Sequence, residues 1–134
     1  TYTVDNSAFE ITIPAVIRPS DRATSFKVGA ELVNIRPDEY IEVSISSGCD
    51  SRSMVVMKRQ NVPAGKTVST LETRFSAGGN PIGSNGYIVG HFEDGSNIVN
   101  SIGDISMSAV NANDKTEAGD YLATIEFKVD LKKK

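Results

Sequence analysis

The chain has 134 residues, with 25 Val and Ile against 4 Leu, no Trp and a net charge of −3. β-Branched side chains suit a pleated, half-buried surface, so this balance predicts an all-β protein and excludes a helix bundle or a coiled coil. No run approaches the ~20 consecutive apolar residues of a membrane span, so we expect no membrane insertion. The charge balance lacks the basic footprint that nucleic acid binding needs, so we expect no nucleic acid partner.

The apolar residues at the N-terminus change position parity. Tyr2 and Val4 are apolar at even positions, whereas in the strand predicted from Phe9 the apolar face falls on odd positions. Because strand faces alternate strictly, this switch predicts a bulge, a bend or two separate strands. We therefore predict that residues 1–7 form an arm that pairs elsewhere than with its own continuation, and that residues 8–134 form one domain. A plain frayed terminus is the open alternative.

Period-two alternation of apolar residues predicts seven to nine strands and no helix. In chain order the predicted strands cover residues 9–17, 26–32, 41–45, 54–58, 68–75, 87–92, 97–99, 105–110 and 121–131. Pro14 cannot donate to a strand ladder, so the first strand is expected to lie at an edge or to be interrupted there.

Turn chemistry separates these strands. Pro at the second position predicts turns at residues 36–39 and 62–65, and Asp94 followed by Gly95 predicts a hairpin closed by residues 97–99. The longest loop rich in Gly, Asn and Pro covers residues 76–86. Short strands at this spacing are typical of a β-sandwich.

The sequence offers little for catalysis. His91 and Cys49 are single, so neither a zinc site nor a nucleophile with its base is predicted, and we expect no enzyme activity, no metal and no cofactor. Cys49 lies in a turn-like run, where we expect an exposed thiol that is either a tolerated unpaired residue or an interchain disulfide in an assembly. His91 is interpreted as a structural or surface residue. The three lysines at 132–134 predict a solubilising tail.

Oxygen-rich segments are interpreted as turns. Residues 111–114, followed by Glu117 and Asp120, do not have the ligand order of an EF-hand. The acid pairs at 38–39 and 93–94 also fit ordinary turns better than a glycosidase site, because sugar sites favour Trp platforms that this chain lacks.

The C-terminal segment resembles a known class of surface proteins. Gly119 stands two residues before Tyr121 at the start of an alternating strand, which resembles the tyrosine corner of immunoglobulin-like sandwiches. It is still more similar to the last strand of bacterial pilin-type subunits, which read Ala-Gly-x-Tyr, and residues 9–14 are similar to their first strand. The resemblance implies an immunoglobulin-like antiparallel β-sandwich of seven to nine strands.

The resemblance also implies a mechanism of assembly. Pilin-type subunits have an incomplete sandwich, which a neighbour completes by β-strand addition. Tyr2 and Val4 would then be the donor-arm side chains. The receiving groove would be flanked by residues of the first and last strands, namely Phe9, Ile11, Ile13, Tyr121, Ile125, Phe127 and Val129.

The expected function is that of a non-catalytic structural subunit of an extracellular or cell-surface filament, a pilus or fimbria. Its expected partners are other copies of itself or related subunits, with a host receptor or glycan if it also mediates adhesion. One alternative is a phage or viral decoration or fibre domain. Another is a surface ligand-binding module for a glycan or a receptor, with its site on the loops at 76–86 or 46–53.

Overall fold

The computed structural model describes residues 8–94, 98–113 and 116–134, and in these ranges the protein is all-β, with one short 3-10 helix. The predicted donor-arm residues Tyr2 and Val4 lie outside the described residues. No helix in the described ranges has the length and apolar character needed to cross a membrane.

Eleven strands occur in the described residues. In chain order they are β1 (Ala8–Thr12), β2 (Thr24–Phe26), β3 (Gly29–Asn34), β4 (Glu39–Ser47), β5 (Met54–Arg59), β6 (Thr70–Ala77), β7 (Asn80–Pro81), β8 (Ile88–Glu93), β9 (Ile105–Met107), β10 (Tyr121–Leu122) and β11 (Glu126–Lys133). The 3-10 helix covers Ile82–Asn85, directly after β7. The loop predicted at 76–86 therefore contains the end of β6, β7 and this helix.

The strands form three antiparallel sheets. The largest has the order β10-β5-β6-β9-β2, with β7 paired to β6; the second has the order β11-β4-β8; and β1 pairs with β3. Buried side chains of the two larger sheets, such as Val43 of β4 and Phe75 of β6, belong to one hydrophobic core. The arrangement is sandwich-like, and the immunoglobulin-like strand order remains a prediction.

Strand β4 follows the alternation as predicted, whereas the strand predicted at 9–17 is shorter than expected. In β4 the odd positions from Glu39 to Ile45 are buried and the even positions are half-buried. β1 ends at Thr12, two residues before Pro14, and pairs only with β3 among the described strands.

The single strand predicted at 26–32 is wrong, because the chain leaves one sheet for another at Val28. β2 pairs with β9, whereas β3 pairs with β1. The Val28 carbonyl accepts a hydrogen bond from the side-chain amide of Asn100, which also donates to the Val89 carbonyl. The Val28 side chain is 3% exposed, so its burial fits the alternating pattern although the residue lies between β2 and β3.

The single strand predicted at 121–131 is also wrong. β10 pairs with β5, whereas β11 pairs with β4, so the chain crosses between the two larger sheets at residues 123–125. Ala123 and Ile125 still pack against the core, because both sheets face the same interior. Alternation therefore continues through a change of sheet.

Further local predictions differ from the structure. Residues 95–97 of the predicted hairpin lie outside the described residues, and Ile98 and Val99 are not in a strand. The turn predicted at 62–65 lies one residue later, where the Lys66 N–H donates to the Pro63 carbonyl. The predicted lysine tail is wrong as well, because β11 runs to Lys133. The 36–39 turn is confirmed by the 2.9 Å hydrogen bond from its fourth N–H to its first carbonyl.

Candidate functional site

An apolar cleft of about 450 Å³ reaches from the surface to the core. Its deepest lining comes from the inner face of the six-stranded sheet, where Val55, Phe75 and Met107 are almost fully buried. Two further segments line it, residues 16–21 after β1 and residues 121–125 between the two larger sheets. The sandwich is therefore open where these two segments meet the sheet.

Apolar side chains stay exposed at this cleft. Val16 is 64% exposed and Leu122 is 62% exposed, and both line it. Exposed apolar groups beside an apolar cavity make this cleft the candidate functional site. Its lining is suited to an apolar or alternating segment of chain.

A tyrosine corner builds the C-terminal side of the cleft. The Tyr121 hydroxyl donates to the Glu117 carbonyl at 2.6 Å, which is the hydrogen bond that defines such a corner. The Tyr121 oxygen also hydrogen-bonds the Ser69 hydroxyl. Since a phenol has one proton, Ser69 is the donor in this second bond. The bonds fix the start of β10 against the residue that precedes β6.

One side-chain and one backbone hydrogen bond hold the same corner on β5. Arg59 donates through Nε to the Ala118 carbonyl at 3.1 Å, and the Gln60 N–H donates to the Asp120 carbonyl at 2.8 Å. Gly119 has φ +150°, and a Cβ there would lie 3.1 Å from Arg59 Nε. The positive φ favours glycine at this position of the Gly-x-Tyr motif, and the Arg59 side chain lies close to it.

The structure brings only part of the predicted groove to the cleft. Tyr121 and Ile125 line it. The remaining predicted residues lie elsewhere: Phe9 and Ile11 on β1, Ile13 just after β1, and Phe127 and Val129 on β11. Sequence reasoning missed the 16–21 segment, although the adjacent apolar pair Val16 and Ile17 breaks the alternation there and could have indicated a second role.

Cys49 is half-buried and packs against the core, so the predicted exposed thiol is wrong. Burial raises the pKa of this thiol to about 11, and the nearby negative charge of Asp50 adds to the effect. The thiol is therefore protonated at neutral pH and is a poor nucleophile. Its role as an interchain thiol stays a prediction.

His91 lies on the outer face of β8 and stacks on Tyr40, with ring centroids 4.8 Å apart. Its Nε2 lies 3.8 Å from Glu93 Oε1, and Lys134 Nζ lies 3.0 Å from the same oxygen. Across the described ranges, His, Cys, Asp and Glu form no group of three that could hold a metal ion. In the 111–113 loop, the Asn113 N–H bonds Thr116 Oγ1, which is the turn chemistry expected there.

Two smaller or more polar cavities lie outside the cleft. One of about 260 Å³ is lined mainly by residues of the 76–86 loop. The other, of about 580 Å³, is a polar groove that includes Glu72, Arg74 and Ser108. The 46–53 loop lines none of the three cavities.

Comparison of the chain with protein-family models, with curated proteins and with solved structures finds no match. What the protein does is therefore inferred from its cleft and from its sequence pattern.

Proposed function

We propose that this protein is a non-catalytic structural subunit of a bacterial surface filament, a pilus or fimbria, assembled outside the cell. In such a filament the N-terminal arm of one copy occupies the cleft of the next. The observation that carries the proposal is the apolar cleft of about 450 Å³, which leaves Val16 and Leu122 exposed beside an otherwise buried core.

The arm has the pattern that a donor strand needs. Residues 1–7 span about 23 Å when extended, and Tyr2 and Val4 then share one face. In β-strand addition the main chain of the donor pairs with a sheet edge while alternate side chains fill pockets. Strand β10 provides an edge beside the cleft, because its only partner among the described strands is β5. Burying one Tyr and one Val contributes about 3–5 kcal/mol before entropic costs.

The candidate catalytic groups support a structural role. The His91 ring is stacked on Tyr40, and the Cys49 thiol is protonated at neutral pH. Neither of these residues lines the cleft. The proposal therefore assigns the cleft to assembly rather than to a reaction.

Electron microscopy and sedimentation velocity test the proposal. The full chain should form linear oligomers, and deletion of residues 1–7 or the pair Tyr2→Ser with Val4→Ser should abolish them. The matched control is Thr1→Ser with Thr3→Ser, which changes the opposite face of the arm and should assemble normally. A full chain that forms no linear oligomers and behaves like the deletion variant would contradict the proposal.

A ligand-binding module is the second candidate function. It is favoured by the polar groove of about 580 Å³ that includes Glu72 and Arg74. Charged side chains in a groove suit a polar ligand such as a glycan. A glycan array with the wild-type chain and the Arg74→Ala variant tests this. Binding that Arg74→Ala abolishes would support it, and an array without hits would count against it. Closed rings in place of linear oligomers would instead favour the phage or viral fibre alternative.

A further inference from the structure

Among the described strands, β11 has a partner on only one of its two long sides. It pairs with β4 from Glu126 to Lys133, and the described part of the chain supplies no strand on its other side. Val129 and Leu131 are each 40% exposed, although the residues opposite them on β4 are fully buried. The inner, apolar face of this sheet therefore continues past β4 and stays uncovered at β11.

The register shows which backbone groups point to the open side. The Lys134 N–H donates to the Asp38 carbonyl at 2.7 Å, and the pairing continues without a shift back to Phe127. Because bonded and non-bonded pairs alternate in an antiparallel ladder, the even-numbered residues of β11 bond to β4. Phe127, Val129 and Leu131 then present their N–H and C=O groups to the open side.

The outer face of β11 carries charges of alternating sign. In chain order they are Glu126, Lys128, Asp130 and Lys132. A second copy of β11, placed antiparallel about a two-fold axis through Val129, sets Lys128 opposite Asp130 of that copy. The same axis sets Glu126 opposite Lys132 on the outer face, and Phe127 opposite Leu131 on the inner face. Between residues 126 and 132, every cross-strand pair is then either opposite in charge or apolar on both sides, which stabilises a sheet.

Neighbouring registers are disfavoured by the same charges. An axis through Lys128 would set Lys128 against itself and Glu126 against Asp130. An axis through Asp130 would set that residue against itself and Lys128 against Lys132. Like charges directly opposite each other destabilise a strand pair, so the Val129 axis is favoured over these two registers.

We propose that two copies of this protein form a two-fold dimer by edge-to-edge pairing of β11. The sheet β11-β4-β8 of one copy becomes continuous with that of the other. About six inter-strand hydrogen bonds form at Phe127, Val129 and Leu131 of the two copies. Within one chain, Lys128 Nζ lies 3.6 Å from Asp130 Oδ2, and the Lys128 side chain is 64% exposed. Exposed ion pairs contribute little to stability, so exchanging this pair for the intermolecular one costs little. This contact uses neither the arm nor the cleft.

Sedimentation equilibrium over a micromolar concentration series tests the dimer. The full chain carrying Tyr2→Ser and Val4→Ser serves as the background, so that arm-driven assembly does not interfere. A monomer–dimer equilibrium is expected, and Lys128→Asp should weaken it at least tenfold. Lys128→Asp combined with Asp130→Lys should restore it, because the swapped charges are again complementary across the axis. Lys66→Asp, the same charge change at an exposed turn, should have no effect.

Amide hydrogen exchange gives a second readout if a variant folds poorly. The Val129 N–H should become protected as the concentration rises, whereas the Lys128 N–H, which bonds to β4, should be protected throughout. A background chain that stays monomeric, or a dimer that Lys128→Asp leaves intact, would overturn the proposal. If the background chain forms no dimer but the wild-type chain still forms linear oligomers, the β11 proposal fails and the arm-and-cleft proposal does not. Failure of one proposal can therefore be told from failure of the other.

Discussion

The Tyr121 hydroxyl donates a 2.6 Å hydrogen bond to the backbone carbonyl of Glu117, four residues earlier. This bond fixes the corner from which the chain enters β10, crosses between the two larger sheets and continues as β11. The same side chain lines the apolar cleft. One residue thus links the local geometry of the C-terminal segment to the proposed assembly site.

Replacing Tyr121 with Phe should lower the free energy of unfolding by about 1–2 kcal/mol, because the Glu117 carbonyl and the Ser69 hydroxyl both lose their partner. Urea unfolding followed by circular dichroism measures the change. Tyr40→Phe is the matched control, since the Tyr40 hydroxyl makes no hydrogen bond within the described residues. Equal losses in the two variants would show that the corner contributes nothing specific.

Gly48 marks the point where the turn after β4 touches the crossing segment. It has φ +96°, and a Cβ there would overlap the Thr124 carbonyl oxygen and lie 2.9 Å from Ile125 Cα. Replacing a glycine of positive φ costs ~1 kcal/mol of stability by itself. Because the Cβ of Gly48→Ala would also overlap the crossing segment, this variant should be destabilised by well over that amount. Gly78→Ala is the control, because Gly78 has φ +58° and open space around it. A thermal midpoint for Gly48→Ala no lower than that for Gly78→Ala would contradict the close approach.

Asp50 should make stability depend on acid pH. Its carboxylate accepts hydrogen bonds from the Met54 and Arg52 N–H groups, and these lower the pKa of the carboxyl below its usual value. Because the pKa is lower in the folded state, the stabilisation is full above the unfolded-state pKa and is lost as the pH falls through the folded-state value.

Urea midpoints of the wild type and Asp50→Asn should therefore differ at neutral pH and converge in acid. Asp104→Asn is the control, since the Asp104 carboxylate has no hydrogen bond or ion pair in the described ranges. A wild-type advantage over Asp50→Asn that stays constant down to strongly acidic pH would show that the Asp50 charge is not involved.

The Cys49 thiol should react slowly. With its pKa raised to about 11 by burial, the thiolate fraction at pH 8 is about a thousandth. Alkylation by iodoacetamide at pH 8 should therefore be much slower than in urea-unfolded protein, and its rate should rise steeply toward pH 10. A native-state rate equal to the unfolded rate would favour the interchain-thiol hypothesis instead.

The sequence predicted some local features well where one residue sets the outcome. Pro14 predicted the limit of the first strand, and the Gly119-x-Tyr121 spacing predicted the corner, because both effects are local. The changes of sheet at Val28 and at residues 123–125 were missed, since a chain that crosses between two sheets of one core keeps its inward and outward alternation. The cleft was predicted only in part, because residues 16–21 and 121–125 meet only through tertiary packing.

The most direct test of assembly is disulfide trapping between arm and cleft. One chain carries Val4→Cys and the other Leu122→Cys, each in a Cys49→Ser background, and the two are mixed and oxidised mildly. Leu122 is chosen because it lines the cleft and is 62% exposed. Thr3→Cys, on the opposite face of the arm, replaces Val4→Cys as the control. We expect a covalent heterodimer with Val4→Cys and little with Thr3→Cys. A Val4→Cys mixture that yields no cross-linked heterodimer would contradict arm insertion into the cleft.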